Sequence, residues 1–438
     1  MKKSKAIAAV AAIIAAAALA GCNNTAGTET NTTAAVQNTD IIKVTLKDNG
    51  TSAADGVSVD GNNVTVTKAG NYSFSGSLSD GRIIVDAGKG DSVTLLLDGV
   101  NITDETGSAP IHVISAAAVT LTTGGDNSLL DNGGFFGSDI SDTAAIWSDT
   151  DITINGTGSL VLSTPGKGIH SEKSITIDNG NISVKESDEG IEASLIKING
   201  GAVYVVSTDD GINVSDGAYT ADTLYINGGK LIVNAQGDGL DSNGSIVITG
   251  GAVFVDGPTG QDNAALDFDK TFTVSGGTIF AVGSAGMAAV PTDGSQSFIS
   301  VNVSGKAGST IAVKNTDGDL IATHTAAKDF ASVIVSTPET VSGKEFTVYV
   351  DETEAGTAIA GEHKGGFGGF GGGFAPPNGE FAPPDGNFAP PDGEFAPPDG
   401  SFTPPEGGFA PPDGNFPPPN SGDFAFGNNP PPEFTASE

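Results

Sequence analysis

Cysteine and basic residues are scarce in this chain. Its 438 residues include one cysteine, and 19 lysines and arginines stand against 53 aspartates and glutamates, which gives a formal net charge of −34. A single cysteine excludes an internal disulfide, so the fold depends on its core or on bound metal. The negative charge argues against nucleic acid as a partner and favours cations, or anionic polymers bridged by cations.

Helical periodicity is also almost absent after residue 22. The chain instead carries 63 glycines and many short runs of valine, isoleucine and threonine. Short β-branched runs separated by glycine-rich turns are typical of an all-β fold, which is the fold class that we expect.

The first 22 residues have the layout of an export signal. Residues 1–5 carry three lysines, residues 6–19 are apolar but too short for a stable membrane span, and Leu19 to Cys22 read LAGC. That last stretch resembles a bacterial lipobox, in which the signal is cut before the cysteine and the sulfur receives a lipid. We therefore expect a lipoprotein signal peptide over residues 1–21 and a lipid anchor on Cys22, which would hold the exported protein to the outer face of the bacterial cell membrane. An ordinary secretory signal with a chance cysteine is the alternative.

Composition divides the rest of the chain into three regions. Residues 22–40 are a linker rich in Thr, Asn and Ala, and residues 41–351 are strand-like throughout. Residues 352–438 turn into a Gly-Phe run and then into seven-residue repeats such as FAPPDGN. Double prolines forbid helices and central strands, and the apolar content is sparse, so we expect a disordered tail with polyproline II character. This tail is either a spacer or a row of phenylalanines that contact sugars or wall polymer.

The strand-like region repeats a short Gly-Ile or Gly-Leu step. The step recurs at Gly190, Gly211, Gly239 and, as Ala-Leu, at Ala265, which are 21, 28 and 26 residues apart. Each step is followed by two more short strands with alternating apolar residues and by an Asn-Gly or Gly-Gly turn. Three short strands at such a period predict the coils of a parallel β-helix. A sandwich of hairpins is the competitor, since Asn-Gly also marks hairpin turns.

Acidic residues recur at fixed positions of these coils. If the isoleucine or leucine of each step points inward, the next residue points outward, and the outward residues stack in what we name the first-strand column: His170, Glu192, Asn213, Asp241 and Asp267. The turn before each step supplies a second set, named the acidic turn column: Glu189, Asp209, Asp210, Asp238 and Asp262.

Such stacking is costly without a cation. Coils about 4.8 Å apart place carboxylates at a distance where they repel by roughly 1 kcal/mol in water and about 3 to 4 kcal/mol at an effective dielectric near 20. Calcium takes oxygen ligands at about 2.4 Å, half that spacing, so an ion between two coils can touch a carboxylate from each. The sequence therefore predicts calcium as cofactor, with these ligands: Glu189, Glu192, Asp209, Asp210, Asn213, Asp238, Asp241, Asp262 and Asp267. A solvated acidic face kept for solubility is the alternative reading.

Together these features resemble the clostridial secreted carbohydrate-binding-domain family. The resemblance rests on the lipobox, the DDGIN-like steps with their INGG turns, the Pro-rich tail and the segment from Thr310 to Ile321, and it covers residues 41–351. It implies a right-handed parallel β-helix with bound calcium, related in shape to pectate lyases. It also implies binding to cellulose or to acidic pectin-like polysaccharides.

Two aromatic features are candidates for contacting sugar rings. Tyr204, Phe254 and Phe280 are expected to point outward from the third strand of successive coils and to form an apolar strip. Trp147, the only tryptophan, extends the first-strand column by one coil. In the alternatives, a loop or the tail covers the strip, and Trp147 packs under the insertion at residues 126–142.

The expected function is therefore that of a monomeric cell-surface lipoprotein that binds polysaccharide and touches the membrane only through its lipid. One rival is a calcium-dependent polysaccharide lyase, in which Lys197 or Lys173 would remove a proton and His170 would be a weaker candidate. Exposed lysines on a β-helix usually only solubilise it. A surface adhesin with a protein partner is the other rival.

Overall fold

The computed structural model describes residues 40–133, 143–215 and 222–363. These ranges belong to one compact unit. The predicted signal peptide, the lipid anchor at Cys22, the linker up to residue 39 and the tail from residue 364 lie outside the described residues. Within them every regular element is a strand, and there is no helix with the length and apolar character needed to cross a membrane.

Parallel stacking begins well before the first Gly-Ile step. β1 pairs with β4, β4 with β6 and β6 with β8, all in parallel, while β2 and β3 form an antiparallel hairpin. The strands of this part are β1 (Ile41–Leu46), β2 (Val57–Asp60), β3 (Asn63–Val66), β4 (Gly70–Leu78), β5 (Arg82–Asp86), β6 (Ser92–Asp104), β7 (Ile111–Ser115), β8 (Ala118–Gly124) and β9 (Asp126–Asp131).

The repeats form the coils predicted from their period. Their strands are β10 (Ala144–Ser148), β11 (Ile152–Gly156), β12 (Ser159–Ser163), β13 (Lys167–Ile177), β14 (Asn181–Glu186), β15 (Ile191–Ile198), β16 (Ala202–Ser207), β17 (Ile212–Val214), β18 (Thr223–Ile226), β19 (Lys230–Ala235), β20 (Leu240–Ser242), β21 (Ser245–Ile248), β22 (Ala252–Asp256), β23 (Thr271–Val274) and β24 (Thr278–Gly283). Each strand pairs in parallel with its equivalent one coil away, as β15 does with β17 and β16 with β19. The stack makes about nine turns, so the parallel β-helix is confirmed and the hairpin sandwich is wrong.

The core of the solenoid is a column of aliphatic side chains. Ile169, Ile191, Ile212 and Leu240 are completely buried, and Leu266 is 1% exposed, as the alternation along the first strand predicts. Burying an isoleucine or leucine contributes roughly 1.5–3 kcal/mol, and the repeat multiplies that gain along the stack.

The glycine of each step is required by packing. A Cβ on Gly190 would overlap Val205 of β16, and a Cβ on Gly211 would overlap Val233 of β19. The corner between the third strand of one coil and the first strand of the next is therefore tight. This closeness holds the acidic turn residue immediately before each glycine in a fixed place.

Side-chain hydrogen bonds also run along the stack at the turn between the second and third strands. Asn199 donates to Asp178 at 2.7 Å, Asn227 donates to Asn199 at 2.8 Å and Thr249 donates to Asn227 at 2.9 Å. The Asn of each INGG turn thus bonds to its equivalent one coil away, which fixes the register of neighbouring coils.

The parallel coils end earlier than expected. The last strands are β25 (Ile299–Val301), β26 (Thr310–Asn315), β27 (Leu320–Thr325), β28 (Ser332–Ser336), β29 (Glu345–Val350) and β30 (Thr353–Ile359). β28 runs antiparallel along β24, and β27, β26, β29 and β30 form a separate four-stranded antiparallel sheet, which we name the cap.

The prediction that the β-helix extends to residue 351 is therefore wrong. Asn315 accepts hydrogen bonds from the backbone of Asp317 and Asp319, and Gly318 has a φ of 90°. Such a turn reverses the chain within a few residues, so the segment from Thr310 to Ile321 is a hairpin and not a coil.

Candidate functional site

The first-strand column has the vertical register that the sequence predicts. Backbone pairing joins Trp147 to His170, His170 to Glu192, Glu192 to Asn213 and Asn213 to Asp241. A bridge between Leu240 and Leu266 places Asp267 next in line. Six outward side chains therefore lie one above another on consecutive coils.

Three aspartates converge at the C-terminal end of this column. Asp238, Asp241 and Asp267 each offer a carboxylate oxygen within 4.8 Å of the others, and all three side chains are half-buried. Burial, followed by the neighbouring carboxylates, raises the pKa of Asp241 to about 8, and burial is also the main cause that raises the pKa of Asp238 to about 7. Three oxygens this close and poorly hydrated suit a divalent cation with hard oxygen ligands.

Two acids of the turn column, Asp210 and Asp238, are held by backbone groups of the following coil. Asp210 accepts a hydrogen bond from the amide of Asp238 at 2.6 Å, and Asp238 accepts one from the amide of Ala264. Burial raises the pKa of Asp210 to about 6, with Asp209 adding to the shift. One oxygen of each carboxylate is thus anchored by the protein, which orients the other.

Glu192, nearer the N-terminal end, has a lysine and a histidine as partners. Its Oε2 lies 2.9 Å from Nδ1 of His170 and forms an ion pair with Lys167. Burial alone would raise the pKa of Glu192, but the hydrogen bonds from His170 and Lys167 outweigh it and lower the pKa. This part of the column is neutralised by the protein itself.

Two buried oxygens between these regions lack hydrogen-bond partners among the described residues. They are Oε2 of Glu189 and Oδ1 of Asn213, which belong to adjacent coils. Burial and then the charge of Glu192 raise the pKa of Glu189 to about 8. A buried acceptor without a donor costs about 1–3 kcal/mol, so both atoms favour an additional partner, which can be a proton donor or a cation. Donors that are all oxygen fit calcium better than a softer metal.

The two remaining predicted ligands lie toward solvent. Asp209 and Asp262 are exposed, and neither belongs to the three-aspartate cluster. Burial and the charge of Asp188 nevertheless raise the pKa of Asp209. The cluster therefore draws on both columns, through Asp238 of the turn column and through Asp241 and Asp267 of the first-strand column.

The predicted aromatic strip is largely covered. Phe280 is completely buried in a cluster that also contains residues of the cap, so its assignment as a sugar platform is wrong. The ring of Phe254 stacks on His324 of the cap, with centroids 5.6 Å apart. Tyr204 is half-buried, with Nζ of Lys185 5.1 Å from its ring centroid. The third-strand face is therefore a docking surface for the cap near its C-terminal end.

A buried ionic cluster joins the cap to the coils, and no sequence pattern indicated it. Nε2 of His324 lies 3.1 Å from both carboxylate oxygens of Asp256, and the amide of Ala327 donates to Asp256 at 2.9 Å. Lys328 donates to the carbonyl of Ala235, and burial lowers the pKa of Lys328 to about 8. Asp256 and His324 are 68 residues apart, so no local periodicity connects them.

The remaining predicted site residues are Trp147, Lys197 and Lys173. Trp147 is half-buried, its ring centroid lies 4.0 Å from that of His170, and its Nε1 donates to Asp149 at 3.0 Å. Nζ of Lys197 lies 5.8 Å from the ring centroid of Tyr225, with which Lys197 pairs on β18, and Lys173 is exposed. No observation favours either lysine as a catalytic base, and the lyase hypothesis stays a prediction.

These features define a class: a parallel β-helix with an acidic outward column and an antiparallel cap over its last coils. The chain belongs to the family of carbohydrate-binding domain-containing proteins, whose family model matches residues 60–323.

Two known proteins are similar to this chain. A carbohydrate-binding domain-containing protein of Acetivibrio thermocellus is 44% identical over 137 residues, which are 30% of this chain and 48% of the relative. The chain thus spans about half the length of that relative. A solved structure described as a polysaccharide lyase-like protein from C. thermocellum, in a gadolinium derivative, is 31% identical, with a TM-score of 0.43 over 54% of this chain and 92% of the other.

Proposed function

We propose that this protein binds polysaccharide along the first-strand column of its β-helix, with calcium held among the acidic residues. The observation that carries the proposal is the convergence of Asp238, Asp241 and Asp267, whose oxygens lie within 4.8 Å of one another. The unpartnered oxygens of Glu189 and Asn213 extend the same oxygen-rich strip toward the N-terminus. Membership of a family named for carbohydrate binding supports the ligand class.

Bound calcium would supply positive charge that offsets these carboxylates and attracts the carboxylate of a uronic acid. The protein's part is to hold the ligand oxygens in register. Asp238 is pinned by the amide of Ala264, Asp210 is pinned by the amide of Asp238, and the glycine corners fix both turns. A protein with a formal charge of −34 can in this way hold an anionic chain such as a pectin-like polymer.

The place of action is part of the same proposal. The lipobox-like stretch ending at Cys22 predicts that the domain is displayed on the outer face of the bacterial membrane. A domain displayed there would meet polysaccharide from outside the cell.

Binding isotherms with and without chelator test the proposal. Polygalacturonate and cellulose are titrated into the protein in calcium and in excess chelator, and we expect tight binding of the acidic polymer only in calcium. Asp241→Asn should weaken that binding, because it removes one charged oxygen from the cluster.

Asp317→Asn is the matched control, since it removes one exposed carboxylate in the cap hairpin, far along the chain from the cluster. Equal binding in calcium and chelator would remove the metal from the proposal. Absence of binding to every polysaccharide offered would refute the function.

A further inference from the structure

We infer that the first-strand column, extended to Trp147, is one continuous track with two unlike ends: an aromatic sugar subsite at Trp147 and the cation site at Asp241. The track would take an acidic oligosaccharide long enough to reach both ends. This inference rests on the proposed function and adds to it a second subsite, a ligand length and a direction along the solenoid.

The aromatic end is built from three consecutive coils. Trp147 pairs with His112 on the coil before it and with His170 on the coil after it. The three side chains point to the same side because their inward neighbours Ile111, Ile146 and Ile169 are all completely buried. Trp147 is half-buried and its ring centroid lies 4.0 Å from that of His170, so the part of the indole that stays exposed is the part available to a sugar ring.

Polar groups border this ring in the manner of a sugar site. Asp149 is exposed and accepts the indole N–H at 3.0 Å, so its carboxylate is fixed beside the ring and can also accept from a hydroxyl. Both Asp149 and Arg82 lie close enough to His112 to influence its pKa, which burial lowers. An apolar ring surrounded by a few oriented donors and acceptors is the usual composition of a carbohydrate site.

The electrostatic character of the track changes over a single coil. Lys167 and His170 both contact Glu192, so the protein itself supplies partners for the column up to that carboxylate. Beyond it the outward residues are Asn213, Asp241 and Asp267, joined by Asp238 from the turn column. An oligosaccharide on this track therefore meets its aromatic contact at the N-terminal end and its cation at the C-terminal end.

The register fixes the distance between the two ends. Four coil steps separate Trp147 from Asp241, through His170, Glu192 and Asn213. At about 4.8 Å per step this is about 19 Å. A disaccharide is too short to occupy both subsites, whereas a longer oligomer gains the second contact as an intramolecular event and binds more tightly.

The single tryptophan makes the inference directly measurable, because selectively excited indole emission reports only on Trp147. Oligogalacturonates of increasing length are titrated into the protein in calcium, with indole emission and calorimetric heat recorded in parallel. We expect the emission to change on binding and the affinity to rise steeply once the oligomer spans about 19 Å. In chelator, long oligomers should still change the emission, but only at higher concentration.

Trp147→Ala should weaken binding of a long oligomer about two- to tenfold, the range expected for one aromatic stacking contact. Tyr349→Ala is the matched control, since Tyr349 is a half-buried aromatic of the cap with Nζ of Lys314 4.8 Å from its ring centroid, and its loss should leave the affinity unchanged.

Each outcome decides something different. Heat of binding with unchanged indole emission, or equal affinity for short and long oligomers, would overturn the track and leave the proposed function intact. Absence of both heat and emission change with every oligomer would overturn the track, and the proposed function would fall with it only if polygalacturonate and cellulose also fail to bind. Should the alanine variant fail to fold, the emission and length series on the natural protein still give the decision.

Discussion

Nδ1 of His170 lies 2.9 Å from Oε2 of Glu192, and the two residues occupy equivalent positions on adjacent coils. This contact marks the point at which the first-strand column passes from groups that the protein neutralises itself to carboxylates that it leaves without a counter-charge. A solenoid repeats its backbone, but its outward side chains differ from coil to coil. One face can therefore carry two kinds of binding site, one after the other along the stack.

Metal-free protein should lose stability as the pH rises. Asp238, Asp241 and Glu189 have pKa values raised to about 7, 8 and 8, whereas the same groups in the unfolded chain titrate near pH 4. Between about pH 4 and 8 the folded chain therefore binds more protons than the unfolded chain, and the free energy of unfolding falls with rising pH. Urea denaturation in chelator at pH 5 and pH 8 measures this, and greater stability at pH 8 would contradict the raised pKa values.

Calcium should reverse that loss. An ion that binds only the folded protein stabilises it in proportion to the logarithm of its concentration over its Kd, and it competes with protons for the same oxygens. We expect calcium to raise the Tm more at pH 8 than at pH 5. Magnesium, which keeps its waters and demands a stricter geometry, should raise it less. A Tm that is indifferent to calcium at pH 8 would mean that the three aspartates hold no ion.

Asp241→Asn should have opposite effects with and without metal. In chelator it removes a half-buried charge that the neighbouring acids repel, so the variant should be more stable at pH 8 by about 1 kcal/mol. In calcium it should gain less from the ion than the natural protein does. Denaturation curves of the natural protein and the variant, each in calcium and in chelator, give the four free energies of unfolding to be compared. A variant that is less stable than the natural protein in chelator would argue against repulsion in the cluster.

Gly211→Ala should destabilise the solenoid by about 1–3 kcal/mol. The added methyl would overlap Val233 and the carbonyl of Gly239, in a core that has no room to relax. Gly260→Ala is the control, because a Cβ there meets no atom within 4 Å. The Tm of the two variants is compared with that of the natural protein, and equal values for both would show that the glycine corner is not tight.

His324→Ala should loosen the cap. The imidazole lies against Phe254 and Phe280 and contacts both oxygens of Asp256, so its loss leaves a buried carboxylate with fewer partners, at a cost of about 1–3 kcal/mol. Hydrogen exchange should rise in β26 and β27 more than in the coils.

Lys306→Ala provides the comparison for the cap, since it breaks an exposed ion pair with Asp329 and should leave exchange unchanged. Uniform exchange across the chain in the His324 variant would show that the cap does not open separately from the coils.

Periodicity made part of this structure predictable. The spacing of Gly190, Gly211 and Gly239 sets the coil register, and the register alone brings Asp241 over Asn213. One outward residue per coil is enough to define a column when the backbone repeats, which is why the acidic positions could be located without any contact information.

Other parts had no periodic signal. The outward direction of Phe280 follows from strand alternation, but its burial depends on the cap, which the chain supplies from residue 310 onward. The contact between Asp256 and His324 is equally remote in sequence. The coils formed by β1 to β9 also lack the Gly-Ile step, so their membership in the stack comes from pairing and not from a repeat.

The antiparallel pairing of β28 with β24 affects whether two molecules can associate end to end. Five consecutive residues of β24, from Ile279 to Gly283, pair with β28, so the edge where another coil would add is already satisfied within the same chain. A second molecule finds no template there for continuing the spiral end to end. At high concentration, the molecules can therefore remain monomeric and do not polymerise into fibrils through that end.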